Sequence, residues 1–367
     1  MSAGGQELLY RIALTQVPFV GPVVAKNVLS YLGGSAEAVF KAGEAKLLKI
    51  PQVGKKTANA IKNFSDFKRA EDEISYIEKH SIQPLFYADK DYPERLKQQP
   101  DCPLLLFYKG NTNLNNARTI GIVGTRSPSN YGKEWTEKLV EDLAETGCVV
   151  ISGLAYGIDS VAHKAALKNK LNTVGVLGNG LKTIYPAQNK MLATQMIEQG
   201  GLLTEYLNDI KPDASNFPER NRIVAAMCDA VVVVETKKKG GSMITAELAN
   251  QYNKDVFTLP GRVGDELSEG CNFLIKNHKA ALVESAADIL YLLNWQQGAK
   301  KAIPKLFPEL NKNEHRVFDL LKGHVRLGID EICNQLDMPQ HLLAMVLLEM
   351  ELKDCLRSLP GKQYELR

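Results

Sequence analysis

Short apolar runs alternate with stretches of helical spacing through the middle of the chain. Seven runs rich in Val and Ile follow one another, at 119–124, 148–153, 173–178, 202–206, 230–235, 256–260 and 281–283. Between them, apolar residues recur at helical spacing, as in 135–144, 161–167 and 244–252. Strands that alternate with helices are typical of βαβ units. The pattern therefore predicts an α/β fold with an extended Rossmann-like, doubly wound parallel sheet that is covered by helices on both faces.

We assign the predicted sheet to a domain spanning residues 76–298. Its first part, 76–115, is a connector punctuated by prolines and glycines, and the apolar run 104–108 within it predicts an edge strand. A second break, which contains Lys, Ala and Pro, predicts a linker at 299–306.

The first 75 residues contain an internal repeat. The pattern Pro-x-Val-Gly-x-x-x-Ala begins at Pro18 and again at Pro51, and helically spaced apolar residues follow each copy. Both copies are similar to the helix-hairpin-helix (SAM-like) module, whose hairpin glycines present backbone N–H groups to a DNA phosphate. Phe19 and Gln52 stand where that module has its first hairpin glycine. A helical domain over 1–75 is therefore predicted, and DNA contact and a purely packing role both stay open for it.

The C-terminal part of the chain predicts a winged-helix-like domain at 307–367. Three helical segments, 313–321, 329–336 and 340–352, precede a hairpin over 356–366. In a DNA-binding winged helix the third helix enters the major groove. Here that helix carries Glu349 and Glu351 and has no Lys or Arg to offset the phosphate charge. We therefore expect it to pack or to contact protein, and not to read duplex DNA.

Composition narrows the class of protein only slightly. Hydrophobic residues make up 44% of the chain and charged residues 24%, as in ordinary globular proteins. No apolar run reaches the ~18 residues that cross a bilayer, and the N-terminus lacks a signal-peptide pattern. The six cysteines show no Cys-x-x-Cys spacing, which is typical of reduced thiols. We therefore expect a cytoplasmic protein without membrane contact. Because the net charge is only +3, any nucleic-acid contact must come from a local basic patch.

Small, hydroxyl and basic residues follow several of the predicted strands. In an open parallel sheet the loops after the strands collect at one edge, where ligands bind. Backbone N–H groups at helix N-termini and Arg side chains both suit a phosphate, and nearby Lys side chains extend the contact along a strand. The predicted phosphate contacts are Gly124, Thr125, Arg126, Lys182, Lys190, Arg220, Asn221, Arg222, Lys239, Gly241, Ser242 and Thr245. Tyr185 and Phe217 are candidates for stacking on a base or for the core.

No set of residues for covalent chemistry accompanies these contacts. Asp159 and His163, four residues apart on one predicted helix, have the spacing of an acid/base pair. An Asp at a helix start is more often a cap, and the His then packs or bonds locally. There is no P-loop pattern, and the other histidines form no ligand cluster. We therefore expect no catalytic residues, no metal and no cofactor.

Taken together, the motifs of the sheet domain resemble the DprA/Smf family, the DNA-processing proteins of natural transformation. The matching segments are 123–132, 152–159, 176–181, 204–206, 217–223, 240–246 and 256–261. The departures are small: Thr125 and Thr204 stand where the family usually has Ser, and Lys239-Gly240 stands where Arg-Ser is common. None of these changes removes a charge.

The resemblance implies a non-enzymatic role. Members of the family bind single-stranded DNA on the Rossmann-like domain, form homodimers through it, and load the recombinase RecA onto incoming strands. It also places the dimer contact in the apolar segments around 271–275 and 280–283, parts of which are also candidates for the core. The contact residues that the resemblance implies are Phe273, Leu274, Ile275 and Leu282.

Two other functions stay open. Residues 231–235, 240–242 and Glu247 distantly resemble the loop of nucleotide phosphoribohydrolases, in which Glu247 would be a catalytic carboxylate and Arg126 or Arg222 would hold the nucleotide phosphate. The second glycine of that loop, its Thr and its spacing do not match. A structural adaptor without DNA affinity is the third possibility.

Overall fold

The computed structural model describes residues 3–295, 310–323, 326–353, 355–359 and 361–366. The chain divides into two compact units, Met1–Gln297 and Gly298–Arg367, which are described separately. The predicted linker at 299–306 lies outside the described residues.

Six helices open the first unit. Their apolar faces close around one core; in the last of them, for example, Ala70, Ile74 and Ile77 are buried at four- and three-residue spacing. The same core continues into Phe86 and Leu105 of the sheet, so these helices pack directly on its first strands. The helices are α1 (Ala3–Gln16), α2 (Pro22–Tyr31), α3 (Ala36–Lys41), α4 (Glu44–Leu47), α5 (Lys55–Lys62) and α6 (Phe67–His80).

The two repeated hairpins keep a glycine-like backbone without the glycine. Phe19 and Gln52 both have φ of 66°, in the left-handed region that glycine adopts at low cost. Gly21 and Gly54 then cap α2 and α5. The sequence repeat therefore corresponds to a repeated turn.

A nine-stranded sheet forms the centre of the first unit, in the order β1-β2-β6-β5-β4-β3-β7-β8-β9. β2 is antiparallel to both β1 and β6, and the remaining neighbours are parallel. The strands are β1 (Gln83–Phe86), β2 (Leu105–Gly110), β3 (Thr119–Gly124), β4 (Val149–Ser152), β5 (Thr173–Val176), β6 (Gly200–Thr204), β7 (Ala230–Val234), β8 (Asp255–Thr258) and β9 (Ala281–Leu282).

Helices cover both faces of this sheet. On one face Ile122 packs in a cluster with Leu139 and Ala162, and on the other Val233 packs with Ala246. Strands buried on both faces explain why the sequence shows continuous apolar runs instead of alternation. The covering helices are α7 (Glu94–Lys97), α8 (Asn130–Asp142), α9 (Ile158–Lys168), α10 (Lys190–Glu198), α11 (Asn216–Met227), α12 (Gly241–Gln251), α13 (Glu269–Lys276) and α14 (Ala286–Leu292).

The doubly wound prediction is confirmed, with one error at the margin of the sheet. The run 104–108 was expected at the edge, but β2 lies one strand in, because β1 pairs with its outer side. β1 has only four residues and contains Pro84, which lacks the N–H that a central strand would use. Such a short, Pro-containing strand has no clear signature in the sequence.

The described residues of the second unit form three helices and a small antiparallel sheet, as predicted. The helices are α15 (Lys312–Lys322), α16 (Ile329–Leu336) and α17 (Gln340–Leu352), and the strands, in the order β10-β12-β11, are β10 (Leu327–Gly328), β11 (Leu356–Leu359) and β12 (Gln363–Leu366). The two-residue β10 was not predicted. Among the helices of the described ranges, none combines the length and the apolar character needed to cross a bilayer.

The left-handed turn at Phe19 gives a test of the first hairpin. Because an L-residue loses about 1–2 kcal/mol in this conformation, we expect Phe19→Gly to be more stable than Phe19→Val by about that amount. Phe19 is 71% exposed, so either change removes little packing. Urea unfolding followed by the fluorescence of Trp135 and Trp295 measures the difference. At the helical position Val23, glycine should instead be destabilising by about 0.5 kcal/mol; a glycine that destabilises both positions equally would contradict the account.

Candidate nucleic-acid interface

A cleft of about 680 Å³ opens at the carboxyl ends of the central strands. It lies where the winding of the sheet reverses: β3 and β7 are neighbours, but β3 leads to β4 on one side and β7 leads to β8 on the other. At such a switch point the loops that follow the two strands diverge and leave a crevice for ligands.

Most of the predicted phosphate contacts meet in this cleft. Those that line it are Gly124, Thr125, Arg126, Arg220, Asn221, Gly241, Ser242 and Thr245. Those that do not are Lys182, Lys190, Arg222 and Lys239. Three consecutive lysines follow β7. The first of them, Lys237, lines the cleft, whereas the predicted contact was the last, Lys239. The sequence places a basic loop here but does not give the direction of each side chain.

Arg126 is an exposed cation of the cleft. The Thr125 N–H donates to the Glu235 carbonyl at 2.7 Å, which ties the end of β3 to the end of β7. Gly157 packs against the same residues: it has φ of +77°, and a Cβ on it would come within 2.2 Å of the Thr125 carbonyl oxygen. Only glycine fits there, so the backbone on both sides fixes the point from which Arg126 extends.

Two aromatic rings form a platform beside Arg126. Tyr185 and Phe217 are stacked, with ring centroids 5.6 Å apart and an interplanar angle of 28°. The Arg126 guanidinium carbon lies 5.7 Å from the centroid of the Phe217 ring. Tyr185 is 43% exposed, so this pair is not part of the core. A flat ligand can stack on such a platform while its charge meets the arginine.

The N-terminus of α12 provides a second anion-binding element. Within the described part of the chain no side chain caps this end of the helix, and Gly241, its first residue, is exposed with no atom near the position of a Cβ. The free N–H groups and the helix dipole therefore favour a negative charge at the cleft. The Ser242 hydroxyl donates to the Thr236 hydroxyl at 2.7 Å, so this serine fastens the loop at the start of the helix.

The cleft also contains acidic groups. Asp213 lies at its rim, where hydrogen bonds from Ser215 lower the pKa of its carboxyl and keep it charged. Asp159 lies at its base and accepts from the Gly153 N–H at 3.0 Å and the Ala155 N–H at 3.3 Å. The expectation that Asp159 caps the start of its helix is therefore wrong, because its side chain bonds to the loop before the helix.

Arg220 forms part of the floor of the cleft and is almost fully buried. It is 4% exposed, and its Nη1 donates to the carbonyls of Gly153, at 2.6 Å, and Val176. Burial lowers the pKa of Arg220 to about 10 and raises the pKa of Asp159, and each charge opposes the shift of the other. Arg220 thus joins the ends of β4 and β5, and its charge is largely committed to Asp159 and the backbone.

The structure corrects the placement of Arg222. Its Nη2 forms an ion pair with the Glu205 carboxylate, and its Nη1 donates to the Asp101 carbonyl at 2.7 Å. The two ion-paired side chains are only 11% and 16% exposed. Residues two apart on a helix face different directions, so Arg220 and Arg222 cannot both line one cleft. The sequence Arg-Asn-Arg alone does not show that the two arginine side chains point in different directions.

Other predicted residues separate in the same way. Lys182 and Lys190 are exposed on either side of Tyr185, outside the cleft. Glu247, the carboxylate of the phosphoribohydrolase hypothesis, also lies outside it and pairs with Lys279 at 2.8 Å. His163 is fully buried, and its Nδ1 lies 2.7 Å from the Thr173 hydroxyl, which agrees with the expected local bond.

The predicted dimer residues divide between core and surface. Leu274 is fully buried in the core of its own chain and cannot meet a partner. Leu282 is 46% exposed, and Phe273 and Ile275 are partly exposed. Helical spacing explains the division, because Leu274 lies on the buried face of α13, three residues after the buried Cys271.

The fold and the cleft define a Rossmann-like protein of several domains. Residues 83–294 match the model of DNA recombination-mediator protein A, 12–64 match a SAM-like helix-hairpin-helix tandem, and 303–362 match the DprA winged helix domain. The chain belongs to the DprA/Smf family. The predicted family and the three-part fold class are thereby confirmed.

Known relatives agree with this assignment. Protein Smf of Escherichia coli is 36% identical over 332 residues, which cover 85% of each chain, and DNA processing protein DprA of Streptococcus pneumoniae is 43% identical over 55% of this chain and 71% of its own. The X-ray structure of the S. pneumoniae DprA matches 77% of this chain and 97% of its own, with TM-score 0.65 and 33% identity. A Helicobacter pylori DprA structure, described by its single-stranded DNA binding mode, matches 58% of this chain and 95% of its own, with TM-score 0.53 and 32% identity.

The Arg222–Glu205 pair predicts a loss of stability. Arg222→Ala leaves a buried carboxylate without its partner, so we expect the free energy of unfolding to fall by about 3 kcal/mol. Arg126→Ala removes an exposed side chain and should change it by less than about 0.5 kcal/mol. Urea unfolding of both variants tests this. Equal stability of the two would show that the buried pair contributes little.

His163 predicts a pH dependence of stability. Burial lowers the pKa of His163 to about 3, whereas in the unfolded chain it returns to about 6.5. The neutral imidazole therefore contributes stability above pH 6.5 that is lost as the pH falls towards 3. The quantity to follow is the free energy of unfolding of the wild type minus that of His163→Gln. Between pH 7.5 and pH 5 this difference should fall by about 2 kcal/mol. Urea unfolding at both pH values measures it, and an unchanged difference would refute the prediction.

Proposed function

We propose that the chain binds single-stranded DNA in the cleft and acts without catalysis. The observation that carries the proposal is the combination of an exposed Arg126, the uncapped N-terminus of α12 and the stacked Tyr185–Phe217 pair in one crevice. The first two suit a phosphate and the third suits a base. A duplex hides the faces of its bases, so a stacking platform next to a phosphate site favours a single strand.

The biological role that we infer follows from the family. Relatives are DNA processing proteins, and one solved relative is described by its binding of single-stranded DNA. We infer that this protein protects incoming strands in the cytoplasm during natural transformation and loads RecA onto them. Lys182 and Lys190 extend the basic surface beyond the cleft. A homodimer through Phe273, Ile275 and Leu282 would lengthen the contact with one strand and raise its avidity.

We propose three domains, at 1–75, 76–298 and 307–367, with DNA binding in the second. The last helix of the third domain, α17, buries Leu343 and Met350 in that domain's core. Glu349 and Glu351 on the same helix oppose insertion into a phosphate-lined groove. We therefore do not assign duplex recognition to this domain.

A catalytic role has less support. The Glu247 carboxylate is outside the cleft, and His163 is sealed in the core. The phosphoribohydrolase alternative predicts release of free base from nucleoside monophosphates, and we expect none. Release of base that Glu247→Gln abolishes would restore that alternative.

The binding proposal is tested by Arg126→Ala. We expect the free energy of single-strand binding to weaken by about 1–3 kcal/mol, because a charge-assisted bond to phosphate is lost. The slope of log affinity against log salt concentration should become shallower by about one. Arg118→Ala is the matched control, because Arg118 precedes the same strand at the opposite edge of the sheet. Titration of a fluorescent oligothymidylate at two salt concentrations gives both quantities. Equal affinity of the two variants would remove Arg126 from the site.

A further inference from the structure

One lysine of the cleft is paired with a carboxylate from a neighbouring loop. Lys237 lines the cleft, and its Nζ lies 2.5 Å from Oε1 of Glu266. Glu266 belongs to the segment between β8 and α13, which we call the 259–268 loop. The two side chains are 53% and 68% exposed, so a ligand that enters the cleft can reach both of them.

The 259–268 loop is fastened beside the cleft by its own hydrogen bonds. Near its start, the Gly261 N–H donates to the Asn272 side-chain oxygen at 3.2 Å, and the Asn272 amide donates back to the Gly261 carbonyl at 2.9 Å. Just after the loop, the Gly270 N–H donates to the Thr236 carbonyl at 2.8 Å, and a Cβ on Gly270 would come within 2.6 Å of that oxygen. Because Thr236 lines the cleft, these bonds hold the loop and its carboxylate at the cleft's edge.

The three consecutive lysines after β7 differ in what they meet. Lys238 and Lys239 do not line the cleft, and the Lys238 Nζ lies 5.3 Å from the centroid of the Phe273 ring. Lys237 is the one that lines the cleft, and its ammonium meets the Glu266 carboxylate. The lysine of this loop that is placed to bind a strand is therefore the one whose charge is already paired.

A carboxylate and a phosphate are both oxyanions that accept hydrogen bonds from an ammonium group. Glu266 thus occupies, at Lys237, the place that a phosphate oxygen of a strand would take. An exposed ion pair is weak, because water and salt screen it. A strand that also reaches Arg126 and the N-terminus of α12 can displace the carboxylate, but the ion pair that it breaks reduces its net affinity.

We propose that Glu266 is a built-in competitor of single-stranded DNA: its carboxylate holds Lys237 in the free protein and leaves when a phosphate of the strand binds there. Lys237 is then a further phosphate contact of the cleft, and Glu266 sets how much that contact adds to affinity. The inference rests on the proposed function of the cleft, which it deepens.

The chain offers a matched set of variants. Glu266→Gln removes the charge of the competitor at almost constant size, and Lys237→Ala removes the cation. Glu269→Gln is the control, because Glu269 is exposed in the first turn of α13, three residues further on, and the same charge is lost there. All three side chains are largely exposed, so each variant is expected to fold, which thermal unfolding checks.

The experiment is a titration of the full chain with a fluorescent oligothymidylate at low and high salt. At low salt we expect Glu266→Gln to bind about two- to fivefold more tightly than the wild type, because the ion pair no longer opposes binding. Lys237→Ala should bind at least about threefold more weakly, because a phosphate contact is lost. Glu269→Gln should change affinity by less than about 1.5-fold, and the gain in Glu266→Gln should shrink at high salt.

The double variant separates competition at Lys237 from a general effect of charge. In the Lys237→Ala background, the Glu266→Gln change should leave affinity the same within about 1.5-fold, because the carboxylate then has no cation to withhold. Unchanged affinity in Glu266→Gln, an equal gain in Glu269→Gln, or the same gain without Lys237 would overturn the inference.

Arg126→Ala in the same titration reports on the cleft itself. A loss of affinity in Arg126→Ala without a gain in Glu266→Gln overturns the competitor and leaves the proposed function intact. Unchanged affinity in Arg126→Ala removes the cleft as the binding site, and the competitor with it.

Discussion

The buried guanidinium of Arg220 is the contact on which the geometry of the cleft depends. It joins the carbonyls of Gly153 and Val176, at the ends of two neighbouring strands, and its charge is balanced by Asp159. The loop that follows Gly153 then returns through Gly157 to pack on the backbone of Thr125 and Arg126. A Cβ on Gly153 would come within 2.5 Å of Arg220 Nη2, so a larger residue there would displace the guanidinium from this position. The exposed arginine is thus positioned by a buried one.

The three arginines differ in burial and therefore in role. Arg126 is exposed and available to a ligand, Arg220 holds the floor of the cleft, and Arg222 fastens α11 to Glu205 and the loop at Asp101. Of these three arginines, only Arg126 has a guanidinium that is open to a ligand. The α12 N-terminus adds a positive potential that requires no side chain, so the cleft favours anions although the chain as a whole is almost neutral.

The sequence predicts the fold well because the strands are buried on both faces. Runs such as Val231 to Val233 have no polar position, and the intervening helical spacing then requires a parallel sheet. The winged helix and the hairpin repeat were also recognisable from spacing. The short strands β1 and β10 were missed, because four and two residues carry too little pattern to separate them from loops.

The site was predicted less completely, because side-chain direction and pairing are tertiary properties. The sequence located the strand-end loops, and therefore Arg126 and Gly241. It could not show that Arg222 forms an ion pair with Glu205.

A crystal structure of the chain with a short oligothymidylate tests the central claim most directly. The account predicts a phosphate within hydrogen-bonding distance of the Gly241 amide and the Arg126 guanidinium, and a base stacked on the Tyr185–Phe217 pair. A strand bound only across the surface of Lys182 and Lys190, with no contact to the α12 N-terminus, would contradict it.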